Sequence, residues 1–173
     1  MGRIIILKKF RSYCSASISI TLVFFNNLIS QPSFTSNQIT SSEMAHHVTS
    51  VDMDNDGDLD LLATFWQDGN AVKWFENNGS QNFTEHIVSS LLEYIGHAEP
   101  IDIDRDGDLD VLIGDNNSGN SNGSYSLCYN NGDGTFSNPL VIASDPNSKS
   151  VHSIDLDNDG DFDIIVGHRD GLN

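Results

Sequence analysis

The chain has 173 residues, which is enough for one ordinary domain, and apolar residues make up 38% of it. Its 25 acidic and 8 basic residues give a formal net charge of −17. A surface with this charge repels phosphate backbones and anionic membranes and attracts cations, so nucleic-acid binding is excluded.

The first 30 residues have the features of a secretory signal peptide. Four of the eight basic residues lie within the first eleven positions and precede an uncharged stretch whose most apolar part is 18–25. That part is short for a membrane span, which needs about 20 apolar residues, so an uncleaved anchor is the less favoured alternative. We expect removal of 1–30 by cleavage after Ser30, a secreted or cell-surface mature chain, and no membrane insertion.

The segment 31–44 is polar, rich in Ser and Thr, and aperiodic, so we interpret it as a linker. Beyond the signal, Cys128 is the only cysteine, and a lone cysteine forms no internal disulfide. Because Cys128 lies in a strand-like run, we interpret it as a small buried apolar residue. A secreted domain without disulfides needs another source of stability, and bound metal is the obvious candidate.

From residue 45 onward the chain consists of three similar repeats. A nine-residue Asp-rich segment at 52–60 recurs at 102–110 and at 155–163, and we name these segments Asp loops 1, 2 and 3. Their offsets of 50 and 53 residues lie in the range that indicates propeller blades or solenoid turns. Each Asp loop precedes a short apolar run that has the length of a buried strand.

The first two repeats continue with the pattern of an antiparallel sheet. A turn-rich stretch leads into a strand with aromatic residues, then into an Asn-Gly sequence that favours the positive φ of a type I′ hairpin, and then into a last strand. Together with the strand that enters the Asp loop, this pattern predicts four strands per repeat and an all-β chain. We expect blades at about 45–92, 93–146 and 147–173, the last of them truncated.

Each Asp loop has the residues of a calcium-binding loop. Counted from its first residue, Asp stands at positions 1, 3, 5, 7 and 9, and Gly at position 6 permits a sharp turn through positive φ. Calcium takes six to eight oxygen ligands, which a loop presents best at alternate positions, with position 7 contributing its backbone carbonyl. Like-charge pairs at about 4 Å cost about 1 kcal/mol each even in water, so the folded loop should open without a cation. Threefold repetition disfavours the alternative of a solvated acidic turn, and we predict about one calcium ion per loop, with the metal ligands Asp52, Asp54, Asp56, Asp58, Asp60, Asp102, Asp104, Asp106, Asp108, Asp110, Asp155, Asp157, Asp159, Asp161 and Asp163.

An EF-hand does not fit these loops, because it needs flanking helices and an acid at position 12, where this chain has Ala63, Ile113 and Val166. The pattern Asp-x-Asp-x-Asp-Gly-x-x-Asp between strands, followed by an apolar run that ends in Gly, resembles the FG-GAP/VCBS repeat of integrin-α-like β-propellers. The sequence Asn-Gly-Asp-Gly-Thr-Phe at 131–136 is similar to the outer-strand turn of that family. The resemblance covers about 45–173, and the first copy departs from it by lacking the Gly after its apolar run.

The resemblance implies a β-propeller with its calcium loops on one rim, where they join the first two strands of each blade. Propellers of this family have about seven blades, and closure of any propeller takes at least about four. The chain accounts for about two and a half blades, so we expect a partial propeller that is a fragment of a roughly seven-bladed one.

Two further groups of residues have a structural and a functional interpretation. His47 and His97 both lie five residues before the first Asp of their loops. We interpret them as structural residues that hydrogen-bond a neighbouring blade, with binding of a substrate or metal in the central channel as the alternative. Aromatic residues of the strands are interpreted as packing between blades, with stacking on sugars as the alternative.

We expect a non-catalytic, calcium-binding β-propeller that serves adhesion or recognition of an extracellular protein or glycan, through loops such as 66–71 and 115–124. A polysaccharide lyase is the alternative from another class of protein. Such an enzyme needs cations to neutralise the uronate carboxylate and a base near it. Beyond the signal the chain offers few cations, namely Lys73, Arg105, Lys149 and Arg169. A passive spacer in a larger surface protein is the third possibility.

Overall fold

The computed structural model describes residues 4–10, 33–40, 44–66, 70–115, 123–144 and 148–168. Within them the chain is all-β, with twelve strands and no helix. None of the described residues belongs to a helix that is long and apolar enough to cross a bilayer. The strands are β1 (Ile4–Phe10), β2 (Ser33–Thr40), β3 (Met44–Val51), β4 (Asp60–Trp66), β5 (Ala71–Asn77), β6 (Phe83–Ser89), β7 (Ile95–Ile101), β8 (Asp110–Asp115), β9 (Ser124–Cys128), β10 (Leu140–Ser144), β11 (Ser148–Ile154) and β12 (Asp163–His168).

The described strands form four antiparallel sheets. Sheet 1 has the order β3-β4-β5-β6 and sheet 2 has the order β7-β8-β9-β10, so each is a four-stranded meander in chain order. Sheet 3 contains β11 and β12, and the N-terminal sheet contains β1 and β2. The prediction of an all-β chain built from four-stranded repeats is confirmed for the first two repeats.

The apolar run after each Asp loop becomes the second strand of its sheet. In β4, Leu62 and Thr64 are buried on one face while Ala63 and Phe65 are buried on the other. All six residues of β8 are buried. A strand covered on both faces has a continuous apolar sequence rather than an alternating one, which explains these runs.

The three repeat sheets stack face to face. β7 packs against β3, β4 and β5, and β11 packs against β7, β8 and β9. The core between sheets 1 and 2 consists of Met53, Leu62, Val72, Trp74, Val88, Ile95, Ala98, Val111, Ile113 and Cys128. The core between sheets 2 and 3 consists of Ile101, Leu112, Tyr125, Leu127 and Val151.

These cores confirm two interpretations of single residues. Cys128 is a free thiol that is completely buried between sheets 1 and 2, where burial raises its pKa to about 12. Trp74 and Tyr125 are also buried between sheets, so these two aromatic residues serve packing rather than exposed stacking on a ligand.

The N-terminal sheet is formed by segments that the sequence analysis interprets as signal peptide and linker. β2 lies within the predicted linker 31–44, and β1 lies within the predicted signal peptide 1–30. Ile39 of β2 packs against a third cluster, formed by Ala63, Phe65 and Phe75 on the far face of sheet 1. Removal of the signal stays a prediction, and it would take away the partner of β2. The cleavage position after Ser30 lies outside the described residues.

The hairpin between β5 and β6 is longer than the predicted type I′ turn. Residues 78–82 connect the two strands, and within them Gly79 has the positive φ, at 73°, that the Asn-Gly sequence predicted. The turn widens because Asn77 Oδ1 accepts a hydrogen bond of 3.0 Å from the N–H of Gln81. Asparagine side chains often organise local turns in this way.

Candidate metal centres

Each Asp loop joins the first strand of its sheet to the second. The residue at position 4 adopts the left-handed conformation in all three loops, and so does the Gly at position 6, as predicted. The φ angles are 60° at Asn55, 63° at Arg105 and 61° at Asn158, and they are 94° at Gly57, 98° at Gly107 and 94° at Gly160. Two left-handed residues coil the backbone tightly around the carboxylates of its own odd positions.

The carboxylate at position 1 is held by the glycine at position 6. The N–H of Gly57 donates to Asp52 Oδ2 at 3.0 Å, and the matching bonds of Asp loops 2 and 3 are 3.2 and 3.0 Å. The backbone also holds position 3, since the N–H of Asp56 donates to Asp54 Oδ1 at 3.2 Å. Equivalent bonds recur in the other two loops. Backbone N–H groups therefore orient these carboxylates in the same way three times.

The carboxylate at position 9 is the most deeply buried of its loop in Asp loops 1 and 2. Asp60 is fully buried, and its Oδ2 accepts the N–H of Met53 at 2.9 Å while its Oδ1 accepts the N–H of Asn77 at 2.7 Å. Asp110 makes the same pair of bonds in Asp loop 2, at 3.2 and 2.8 Å. Burial raises the pKa of both carboxyls, and the backbone hydrogen bonds oppose that shift. A nearby cation would favour the ionised form.

Three carboxylates of each loop bring an oxygen within 4.8 Å of one another. The clusters are Asp52, Asp54 and Asp60 in Asp loop 1; Asp102, Asp104 and Asp106 in Asp loop 2; and Asp155, Asp157 and Asp163 in Asp loop 3.

One oxygen in each cluster is buried without a hydrogen-bond partner. It is the Oδ1 of position 1 every time, in Asp52, Asp102 and Asp155. A buried carboxylate oxygen without a partner is unfavourable unless a cation contacts it. The same orphaned atom at the same place in three loops fits a hard cation such as calcium, which prefers oxygen ligands.

The other predicted ligands stay in their loops but lie outside these clusters. The third member of the cluster differs between loops. It is the Asp at position 5 in Asp loop 2, namely Asp106, and the Asp at position 9 in Asp loops 1 and 3. At position 7, Asp58 and Asp108 direct their carboxylates toward the glycine of the next hairpin. In Asp loop 3, Asp161 pairs with Arg105 at 2.7 Å. The structure therefore brings together nine of the fifteen predicted side chains.

Two pairs of residues that support the loops were missed by the sequence analysis. Asn77 is the last residue of β5, and Asn130 follows the end of β9 by two residues. Their side chains donate to the carbonyls of Leu59 and Leu109 at 3.1 and 3.2 Å. The recurrence of Asn just before each Asn-Gly sequence was the available signal.

The second pair consists of glycines in the outer hairpins. A Cβ at Gly79 would stand 2.5 Å from Asp58 Oδ2, and one at Gly132 would stand 2.7 Å from Asp108 Oδ2. The outer hairpin therefore folds down onto the Asp loop, and only glycine leaves room for the carboxylate without displacing it.

Hydrogen bonds to a neighbouring sheet were predicted for His47 and His97, but two other histidines make such bonds. His46 Nδ1 lies 3.3 Å from the carbonyl of Gly96 in sheet 2, and His152 Nδ1 lies 2.9 Å from Glu99 Oε2. His47 and His97 contact each other, with ring centroids 4.2 Å apart.

Comparison with known proteins agrees with the repeat structure. The family model described as FG-GAP-like repeat matches residues 52–113 and 102–166, so its two overlapping matches include all three Asp loops. The chain belongs to the FG-GAP-like repeat family, as its motifs predicted. Neither the curated proteins nor the solved structures contain a significant match to it.

Proposed function

We propose that the chain is a calcium-binding, non-catalytic β-propeller module of a secreted or cell-surface protein, and that it recognises an extracellular protein or glycan. The observation that carries this proposal is the orphaned Oδ1 of Asp52, repeated at Asp102 and Asp155 in the same surroundings. Membership of the FG-GAP-like family supports it, because repeats of this kind are typical of extracellular or surface proteins.

The residues of the loops fit calcium by their chemistry. All the clustered donors are carboxylate oxygens, which are hard ligands, and no described imidazole or thiol belongs to these clusters. A bound calcium ion supplies the positive charge that turns repulsion among the carboxylates into attraction. The backbone N–H groups of Gly57 and Asp56 hold the carboxylates in place before an ion arrives, which lowers the cost of ordering the loop.

The distribution of charge supports binding rather than catalysis. Fifteen of the 25 acidic residues lie in the Asp loops. The side chain of Lys73 is largely buried, and its Nζ donates to Glu85 Oε1 at 2.9 Å. Arg105 is paired with Asp161. The side chains of Lys149 and Arg169 lie outside the described residues. Lys73 and Arg105 thus serve ion pairs, whereas a lyase would use cations to stabilise an anionic transition state.

The connections opposite the Asp loops are the proposed recognition surface. The β4–β5 and β8–β9 connections leave from the strand ends that lie away from the Asp loops, as alternation in a meander requires. They contain 67–69 and 116–122, which are outside the described residues. Loops on a rigid scaffold are the usual place for binding residues.

Calorimetric titration with calcium tests the metal proposal. We expect about three sites in the full chain, with dissociation constants of ~0.1–1 mM as in other extracellular modules. Asp54→Ala, Asp104→Ala and Asp157→Ala should each remove one site. Asp133→Ala is the matched control, because Asp133 is a fully exposed acid outside the Asp loops. Absence of calcium binding to the folded chain would refute the proposal.

Arrays of glycans and of extracellular matrix proteins test the recognition proposal. Binding should appear in calcium and disappear in a chelator. Cleavage of a polysaccharide by the chain would contradict the non-catalytic part and favour the lyase.

A further inference from the structure

A second group of possible metal ligands lies away from the Asp loops. The first strands β3, β7 and β11 border a cavity of about 350 Å³. Its polar lining comes from His47 and Thr49 of sheet 1, His97 and Glu99 of sheet 2, and His152 of sheet 3.

The two histidines from sheets 1 and 2 meet across the junction of these sheets. Their ring centroids are 4.2 Å apart and their planes are inclined by 46°. The Nδ1 atoms of His47 and His97 are both buried and lack a hydrogen-bond partner. Buried polar atoms are normally satisfied, so two orphaned ring nitrogens on adjacent imidazoles indicate a missing ligand.

The imidazoles are in the protonation state that a metal requires. Burial lowers the pKa of His47, and the neighbouring His97 and His46 lower it further. Burial likewise lowers the pKa of His97. A lowered pKa favours the neutral imidazole, which has a lone pair available for coordination.

Glu99 provides negative charge beside this pair. Its Oε1 accepts hydrogen bonds from Ser153 N–H at 3.1 Å and Ser153 Oγ at 2.7 Å, and its Oε2 lies 2.9 Å from His152 Nδ1. Although burial opposes it, these hydrogen bonds lower the pKa of Glu99 and keep it ionised. The charge of Glu99 favours a cation at both His47 and His97.

We propose that His47 and His97 together bind one transition-metal ion of the class of Zn²⁺, Ni²⁺ and Cu²⁺, with Glu99 balancing its charge and solvent completing the coordination. Imidazole nitrogen suits these ions, whereas calcium selects the carboxylates of the Asp loops. Ring centroids 4.2 Å apart are compatible with two metal–nitrogen bonds of about 2.0–2.1 Å to one ion. The χ2 torsion of histidine is broad, so the rings can turn their nitrogens toward that ion. The cavity leaves room for water molecules as further ligands.

The ion would link two repeats of the chain. One ligand belongs to β3 and the other to β7, and the charge-balancing Glu99 is held by Ser153 of β11. The site is therefore independent of the calcium loops but depends on the stacking of the sheets.

Titration of the full chain with NiCl₂ in saturating calcium tests this site. We expect one nickel site in the unmodified chain and its loss in both His47→Ala and His97→Ala. His86→Ala is the matched control, since His86 stacks on Trp74 and pairs with Glu76 away from the cavity, and this variant should keep the site. Glu99→Gln should weaken nickel binding roughly 10–100-fold, as loss of an outer partner of a metal site does.

Absence of a nickel site in the unmodified chain, or its persistence in the His47→Ala/His97→Ala double variant, would overturn the proposal. Calcium titration of the same variants shows whether they are folded and keeps failure of this site distinct from failure of the calcium sites. Electron paramagnetic resonance of the unmodified chain with one equivalent of Cu²⁺ gives a test without mutation. Hyperfine coupling to two imidazole nitrogens is expected, and coupling to one or none contradicts the proposal.

Discussion

At the scale of single residues, position 9 differs from the other positions in Asp loops 1 and 2. Asp54 is exposed, whereas Asp60 is buried and accepts two backbone N–H bonds. Asp60 therefore has two roles, because it contributes to the cluster and also ties the loop to the end of β5. Its loss should affect the protein even where calcium binding is already abolished.

Asp60→Ala should lower the free energy of unfolding by about 2–4 kcal/mol more than Asp54→Ala, because it leaves the N–H groups of Met53 and Asn77 buried without acceptors. Both variants should remove the same proposed calcium site, so Asp54→Ala is the control for loss of the ion. Urea unfolding of the two variants in calcium measures the difference. Equal stabilities would show that the buried hydrogen bonds of Asp60 contribute little.

Asp115 at the end of β8 predicts a pH dependence of stability. Burial, together with the charge of Glu93, raises its pKa to about 6. In the unfolded chain the pKa of an aspartate is about 3.9. The stability that the protonated carboxyl contributes is therefore fully present below pH ~4 and is lost as the pH rises from ~4 to ~6.

Asp115→Asn should therefore stabilise the chain by ~1–2 kcal/mol at pH 7 and have little effect near pH 3.5, where the carboxyl is protonated in both states. Urea unfolding at the two pH values measures this. Glu93→Gln is a companion variant that should give a smaller gain of the same sign. A stabilisation that is equal at both pH values would contradict the ionisation argument.

At the scale of elements, Asp loops 1 and 2 each contact the next Asp loop through the residue at position 4. Asn55 Nδ2 donates to the carbonyl of Gly107 at 3.1 Å, and Arg105 Nη2 donates to Asp161 Oδ1 at 2.7 Å. The left-handed conformation at position 4 directs both side chains toward the neighbouring loop. Arg105 also places a positive charge among carboxylates that are predicted to bind calcium.

Arg105→Gln should increase the calcium affinity of Asp loops 2 and 3 about twofold to fivefold, because it removes a charge that repels the ion by up to about 1 kcal/mol in water. Arg105→Lys keeps the charge and is the control. Calorimetry at low salt measures the change, which should shrink at high salt as screening increases. An unchanged affinity at low salt would mean that Arg105 serves only its exposed pair with Asp161.

The Asp loops were predictable because their carboxylates and turns are local. Asp at alternate positions and Gly at position 6 lie within nine residues, so sequence spacing predicts that the carboxylates converge, although position 5 replaces position 9 in the cluster of Asp loop 2. The contact of Asn77 with Leu59, and that of His47 with His97, join residues 18 and 50 positions apart. Such pairs depend on strand register and on the stacking of sheets, which no local pattern specifies. β2 was missed because its polar sequence lacks the apolar alternation of a half-buried strand.

At the scale of the whole molecule, sheet 3 has apolar side chains exposed on the face opposite sheet 2. Ile154 and Ile165 of sheet 3 are 40% and 45% exposed, on the face that points away from Val151 and sheet 2. Sheet 2 is covered on both faces by its neighbours. In repeat proteins each unit buries its faces only against adjacent units, so the exposed face of sheet 3 favours self-association.

Ile165→Lys should reduce self-association of the full chain, because it places a charge on this face. Ile87→Lys is the matched control, since Ile87 is 58% exposed on β6 of sheet 1. Sedimentation velocity over a range of protein concentrations measures the association of both variants. If the unmodified chain is monomeric throughout that range, this expectation is wrong.

The stacking of sheets also determines how the chain responds to mechanical load. When a pulling force acts along the stack, the two junctions are in series and bear the same tension. Among the residues that the structure describes, ten buried ones form the core between sheets 1 and 2, but five form the core between sheets 2 and 3. The second junction should therefore rupture first, so that sheet 3 detaches while the pair of sheets that contains Asp loops 1 and 2 still resists extension.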